Sequence, residues 1–325
     1  MLRTIFFSFI VTSVLAVDQW NNFVDFMKRH EKFYDTLKIL ETRYQYYKEN
    51  MEFAMQHNAL QSNYTLGETE FADLSLEEFR QRKNPSYSLT KSTSCETFSK
   101  WSSDSVPKSI DWRELGAVTE VKDQGQCGSC WSFSATGAME GAWQITNGEL
   151  ISLSEQQLVD CASGFKYGNH GCNGGLMDGA FQYAIDNGMC SEQEYPYFAK
   201  GTSCQSCDSL VRIESCVDVT PRNEIDLEMA ASKGPISVAI EADTRVFQLY
   251  NGGVLTDSAC GTNLDHGVLI VGYGTTTDDH TDYWIVKNSW GNSWGENGYI
   301  RIGKSADTNT AGICGIALQP SYPVV

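Results

Sequence analysis

Apolar positions recur at helical spacing near the start of the chain. Phe23, Phe26 and Met27 form one set, and Tyr44, Tyr47, Met51 and Ala54 form a second. Ser75 stands three residues before Glu78, the spacing of a capping box that opens another helix. Residues 84–109 are rich in Ser, Thr and Lys and read as an extended linker. After Cys130, Trp131, Ala135, Ala138, Met139, Ala142 and Trp143 fall on one face of a helix of about four turns. Ser154 to Gln157 repeats the capping spacing ahead of Leu158 and Val159. Ala180, Phe181, Ala184 and Ile185 predict a further helix, which Gly188 can stop. The texture then changes to short apolar runs between glycine-rich turns, at residues 236–240, 267–271, 283–286 and 299–302. Helices followed by strands predict an α+β class, with two lobes and a cleft between them. The chain contains no internal repeat.

Composition narrows the function. The 325 residues carry 41 acidic and 24 basic side chains, a net charge of −17. That balance argues against nucleic acid or an anionic membrane as a partner. Eleven cysteines point to an oxidising compartment. Residues 1–16 have one early positive charge, an apolar stretch and a small residue at Ala16, the pattern of a secretory signal peptide. The stretch is too short to span a bilayer, and no later run approaches that length, so no membrane span is expected. Asn63-Tyr64-Thr65 is the single glycosylation sequon.

The chemistry concentrates around Cys130. Gly125 and Gly128 mark a loop that turns into helix at this residue. A thiol at a helix N-terminus meets unpaired N–H groups and the positive end of the dipole, which favour thiolate, the nucleophilic form. A base must then hold the ion pair and protonate the leaving group. His266 opens a buried strand, and Asn288, at the end of another, can accept from one imidazole nitrogen. Trp290 can keep water from that bond. Cys127 and Cys130 form a C-x-x-C, but no strand precedes it as a redox motif needs, and Cys204-x-x-Cys207 lies too far along for a zinc ribbon. No metal and no cofactor is expected.

Taken together, these segments resemble the papain-like cysteine proteases, and within them the cathepsin L group. The matching stretches are 124–131, 171–175, 264–274, 283–298 and 314–317, in family order. The resemblance implies a papain-like fold, with a helical lobe carrying Cys130 and a β-barrel-like lobe carrying His266 and Asn288. By the same resemblance Cys130 is the nucleophile, His266 the acid–base partner and Asn288 its orienter. Gln124 shares the oxyanion hole with the Cys130 N–H. Gly174 and Gly175 match the strand that pairs with substrate. Leu176, Met177, Ala239, Leu264 and Gln319 match the pocket for the residue two before the cut, with Asp265 beside them. Four of these five are apolar; Gln319 departs from the Ala common in the group. Only ten residues separate Cys161 from Cys172, which leaves no room for an exopeptidase's occluding insertion.

The resemblance also divides the chain into a signal peptide at 1–16, an inhibitory and mainly helical propeptide at 17–105 and a mature peptidase at 106–325. Arg43, Tyr47, Asn50, Ala54 and Asn58 follow the interspersed propeptide motif, with Ile39 where the family has Glu. Gly67, Thr69, Phe71 and Asp73 follow the second motif, with Thr69 in place of Asn. Implied bridges are Cys127–Cys172, Cys161–Cys204 and Cys260–Cys314. Cys190, Cys207 and Cys216 remain in the mature part, where one further bridge and one spare thiol are expected; Cys95 lies in the linker. Implied partners are protein and peptide substrates, the chain's own propeptide and cystatin-type inhibitors. A monomer is expected, in the secretory pathway, with a lysosome or the extracellular space as destination and an acidic pH optimum.

Overall fold

The computed structural model describes residues 19–60, 63–81, 95–99 and 106–325. The expected signal peptide and most of the Ser/Thr/Lys-rich linker lie outside these residues. The N-terminal helices are α1 (residues 19–29) and α2 (Leu37–Asn58), followed by β1 (Tyr64–Leu66), α3 (Leu76–Gln81), β2 (Glu96–Thr97) and β3 (Ile110–Asp111). Next come α4 (Cys130–Asn147), α5 (Glu155–Cys161), α6 (Met177–Asn187), β4 (Ser215–Asp218), α7 (Glu224–Ala231) and β5 (Ile236–Ile240). The remainder is α8 (Arg245–Leu249), β6 (Tyr250–Leu255), β7 (His266–Thr275), β8 (Asp282–Lys287), β9 (Tyr299–Gly303) and β10 (Ser321–Val324).

Local chemistry sets the helix ends. The Ser75–Glu78 capping box forms in both directions, with the Glu78 N–H donating to Ser75 Oγ at 3.1 Å and the Ser75 N–H to Glu78 Oε2 at 3.0 Å. At α5 only half of the expected box forms: Ser154 Oγ accepts from the Gln157 N–H, while the Gln157 side chain turns to Tyr183 and Cys190. Helix α4 runs 18 residues, a turn longer than its apolar stripe predicts, and stops at Gly148 in the left-handed region (φ 78°).

The four runs predicted as strands become β5, β7, β8 and β9. Neighbours across the sheet run β1-β6-β9-β8-β7-β5-β10-β4-β2, with β3 added on β7. Both ends of this path come from residues before 106. Strand β1 pairs antiparallel with β6 (Tyr64 opposite Gly253), and β2 pairs parallel with β4 (Glu96 opposite Val217). The segment expected to be a plain linker therefore holds a docked strand. Phe98 follows it into the core, and its N–H donates to the Asp218 carbonyl. Such pairing covers edges that would otherwise present unpaired backbone groups.

Two apolar cores result. One, around Trp131, Met139, Leu158 and Phe181, packs α4, α5 and α6. The other packs the β-rich lobe around Trp284, Trp294 and Phe247, and continues into Phe23, Phe26, Tyr47, Phe71 and Phe79 of the N-terminal segment. The lobes meet where α4 crosses β7. Ser134 Oγ donates to the Val268 carbonyl at 2.7 Å, and Ser237 Oγ donates to the Ser134 carbonyl at 2.8 Å. Gly137 allows the close approach, since a Cβ there would lie 2.7 Å from Leu269.

Candidate active site

Cys130 is the first residue of α4, so its N–H belongs to the group with no intrahelical acceptor. Its side chain is buried and is the one cysteine of the eleven outside a disulfide. His266 begins β7, and the next residue, Gly267, packs directly on Cys130: a Cβ at 267 would sit 3.3 Å from the Cys130 carbonyl. The chain at β7's start and the first turn of α4 thus meet at the junction of the lobes.

The imidazole is held from two sides. His266 Nε2 lies 2.8 Å from Asn288 Oδ1, which also accepts from the Ser289 N–H at 2.8 Å. An atom receiving a backbone N–H must be the amide oxygen, so Asn288 is oriented unambiguously. Nε2 must then carry the proton it donates, leaving Nδ1 as the other ring nitrogen. The Trp290 indole stacks on the ring, with centroids 4.7 Å apart and planes 26° from parallel.

The Gln124 amide is also fixed. Oε1 accepts from Ser289 Oγ at 2.7 Å, and Nε2 donates to the Cys127 carbonyl at 2.9 Å. The backbones of Gln124 and Ser289 pair as well. A primary amide has two N–H groups, so one donor remains after the Cys127 bond. Tyr197 OH donates to the Gln124 carbonyl at 2.8 Å and meets Ser129 Oγ, at the residue before Cys130.

Beneath this layer lies a buried ionic cluster. Lys122 Nζ reaches Glu155 at 2.7 Å and Glu140 at 3.3 Å. Lys287 Nζ bonds Thr119, whose hydroxyl donates to Glu140. Burial opposes the charge on Lys122, but the two carboxylates outweigh it and hold its pKa above the ordinary value. Burial dominates at Lys287 and pulls it down to about 8. Burial, with Glu155 alongside, pushes Glu192 up to about 7. Lys287 immediately precedes Asn288, so this cluster anchors the strand end that presents Asn288 and Ser289.

Comparison with known proteins gives the same answer over nearly the whole chain. Residues 106–324 match the papain family cysteine protease model, and residues 23–79 match the cathepsin propeptide inhibitor domain. The chain belongs to the papain family of cysteine proteases. It is 47% identical to cysteine proteinase RD21A of Arabidopsis thaliana over 87% of this chain, a match spanning 61% of that longer protein. It is 42% identical to the senescence-specific cysteine protease SAG39 of Oryza sativa, over 97% of this chain and 95% of the relative. Digestive procathepsin L 3 from the Tenebrio molitor larval midgut superimposes with a TM-score of 0.85 at 41% identity, covering 94% of this chain and 99% of that one.

The fold places the other expected residues as follows. Met177, Ala239 and Leu264 are buried in one apolar cluster; Leu176, which precedes Met177, and Gln319 are each half-buried. Asp265 acts locally, Oδ1 accepting from the Ala242 N–H. Gly174 takes a positive φ of 107°. Gly175 is glycine for a reason internal to the fold: a Cβ would lie 2.5 Å from Asn169 and 2.7 Å from Trp131. Asn63 is exposed.

The propeptide motif makes its contacts despite the departures at Ile39 and Thr69. Ile39 points outward. Arg43 pairs with Glu78, Tyr47 with Glu68, Asn50 with the carbonyls of residues 72 and 74, and Asn58 with Leu66. Thr69 donates to the Gln248 carbonyl of the peptidase part at 2.6 Å. Phe71 and Phe79 then stand edge-on against Trp290, at 5.5 and 5.6 Å. The N-terminal segment therefore rests on the indole that covers His266.

All three implied bridges are present. The expected spare thiol is not. Cys190 pairs with Cys207, and Cys216 pairs with Cys95 of the linker. Sequence reasoning also missed Ser289, Tyr197 and the cluster beneath them. Adjacency to Asn288 was a signal for Ser289; nothing in the pattern marks Tyr197.

Proposed function

We propose that this protein is a cysteine endopeptidase made as a self-inhibited precursor, working through a Cys130–His266 thiolate–imidazolium pair. The observation that carries the reading is the pairing geometry. Asn288 Oδ1 accepts from the Nε2–H of His266, which leaves Nδ1 as the ring nitrogen available to pair with Cys130. Cys130 attacks a peptide carbonyl, and the developing oxyanion is met by the Cys130 N–H and the remaining Gln124 N–H. Losing one such donor typically costs about 10²–10³ in rate. His266⁺ gives its proton to the departing amine, leaving an acyl thioester, and His266 then takes a proton from the water that hydrolyses it.

The apolar cluster of Met177, Ala239 and Leu264 supports a preference for Leu, Val or Phe two residues before the cut. Residues 17–105 act as the inhibitor until a cut near Val106 frees residues 106–325. The early apolar stretch serves as a secretory signal, Asn63 is open to glycosylation, and the working compartment is acidic. Cystatin-type inhibitors would enter the same cleft, and the active form is a monomer. The test is hydrolysis of a fluorogenic peptide with an apolar residue at that position, after brief acidification of the precursor with a dithiol present. The unmutated protein should gain activity as it shortens, and Cys130→Ala should not. A Cys130→Ala protein that cleaves as well as the parent would remove the nucleophile assignment.

A further inference from the structure

The Cys95–Cys216 bridge joins two parts of the chain that maturation is expected to separate. Cys216 lies in β4, well inside the peptidase part, and is 5% exposed. Cys95 comes 121 residues earlier, at the start of the β2 segment laid along β4. The docking is more than the bridge alone. Two residues pair in register, the Phe98 N–H donates to the Asp218 carbonyl at 3.0 Å, and Phe98 shares an apolar cluster with Val219. In sequence, Cys95 precedes Val106. Any cut on the carboxyl side of Cys95 therefore leaves the N-terminal segment covalently attached to the peptidase.

We propose that this disulfide holds the propeptide on the enzyme after the cut near Val106, so that release of the inhibitor requires a thiol reductant as well as proteolysis. The inference rests on reading residues 17–105 as an inhibitory propeptide. A tether of this kind presents the inhibitor at an effective concentration on the order of 1 mM, which dilution does not change. In micromolar solution that is roughly a 1,000-fold excess over an untethered propeptide. Reduction removes it in two steps. A thiolate of a small-molecule dithiol attacks one sulfur to form a mixed disulfide, and its second thiol then displaces the protein sulfur. Two electrons pass to the protein, leaving Cys95 and Cys216 as thiols and the dithiol as its own disulfide.

The precursor and its Cys95→Ser variant are acidified anaerobically without reductant, and the cut is located by N-terminal sequencing. Each sample is then split for denaturing gels and intact mass, with and without a dithiol, and for peptide hydrolysis. The expected result is that the cut parent stays joined until reduced, while the cut Cys95→Ser protein separates at once. Parent activity should rise about tenfold or more on reduction, and Cys95→Ser should be active beforehand, showing that the reductant is not merely rescuing Cys130. The double variant Cys95→Ser/Cys216→Ser should behave like the single one, which excludes an effect of the unpaired Cys216 thiol. Parent fragments that separate without reductant would overturn the tether. Fragments that stay joined yet are already as active as Cys95→Ser would overturn the inhibitory reading instead.

Discussion

Ser289 offers a sharp probe of how the proposed oxyanion site is built. Its hydroxyl donates to Gln124 Oε1 at 2.7 Å, and both residues are buried. Ser289→Ala deletes that donor and creates little space, leaving a buried acceptor unpaired. Such an orphan costs about 1–3 kcal/mol. The amide has one way to recover, which is to rotate, but this would aim Oε1 at the Cys127 carbonyl now bonded to Nε2. Two oxygens would then face each other, so rotation is disfavoured and the amide loosens rather than flips. Of the full loss of about 10²–10³ expected for removing the Gln124 donor, Ser289→Ala should show a part. We expect kcat to fall about tenfold, equivalent to about 1.4 kcal/mol. KM should change little, because the contact matters where charge develops on the oxygen. Steady-state hydrolysis of the fluorogenic peptide, with active sites titrated, measures both constants. An unchanged kcat, or a loss confined to KM, would refute the reasoning, and Gln124 would have to be reassigned to a structural role.

Three further outcomes follow from the same contacts. Asn288→Ala strips the acceptor from both His266 Nε2 and the Ser289 N–H, so kcat/KM should fall by about 10–100-fold, corresponding to a buried unpaired donor of about 1.4–3 kcal/mol, measured against the parent at several pH values. Phe79→Ala removes a buried ring from the face against Trp290, and a separately made 17–105 peptide carrying it should inhibit the mature enzyme at least about tenfold more weakly than the parent peptide. Burial, with Glu155 alongside, pushes the Glu192 carboxyl up to about 7 in the folded state, above the ordinary 4.5. The folded state therefore keeps a proton that the unfolded chain loses between these values, and stability falls as pH rises through that window. Thermal melts of Glu192→Gln should show a smaller decline between pH 4.5 and 7 than the parent.

Much of this architecture was legible beforehand, and the failures have physical causes. The stripe after Cys130 and the runs that became β5, β7, β8 and β9 carry their own periodicity, so their pattern is complete within each segment. Strands β1 and β2 are three and two residues long and exist because β6 and β4 offer them edges. Nothing in Tyr64–Leu66 or Glu96–Thr97 alone says so. Cys95 was hidden by its Ser- and Thr-rich neighbours, which read as linker. A parity argument would have found it. Setting aside the nucleophile and the three implied bridges leaves Cys95, Cys190, Cys207 and Cys216, an even set that needs no spare thiol. In the site, Cys130, His266, Asn288 and Gln124 stand in motifs with characteristic neighbours. Tyr197 reaches Ser129 and Gln124 from a distant loop, a relation that only the folded chain creates.

The central claim is that a single thiol, Cys130, does the chemistry with His266 as its partner. Stoichiometric labelling tests it most directly. The activated Cys95→Ser/Cys216→Ser enzyme, in which Cys130 is the one cysteine outside a disulfide, is treated with limiting increments of a thiol-directed alkylating agent at pH 6, with residual activity and intact mass followed together. The claim predicts that activity falls in proportion to label, reaching zero at one group per molecule, located on Cys130. It also predicts that His266→Ala takes up the label at least about tenfold more slowly, since no imidazolium then holds the thiolate. Full activity after Cys130 is labelled, or equal labelling rates with and without His266, would contradict it.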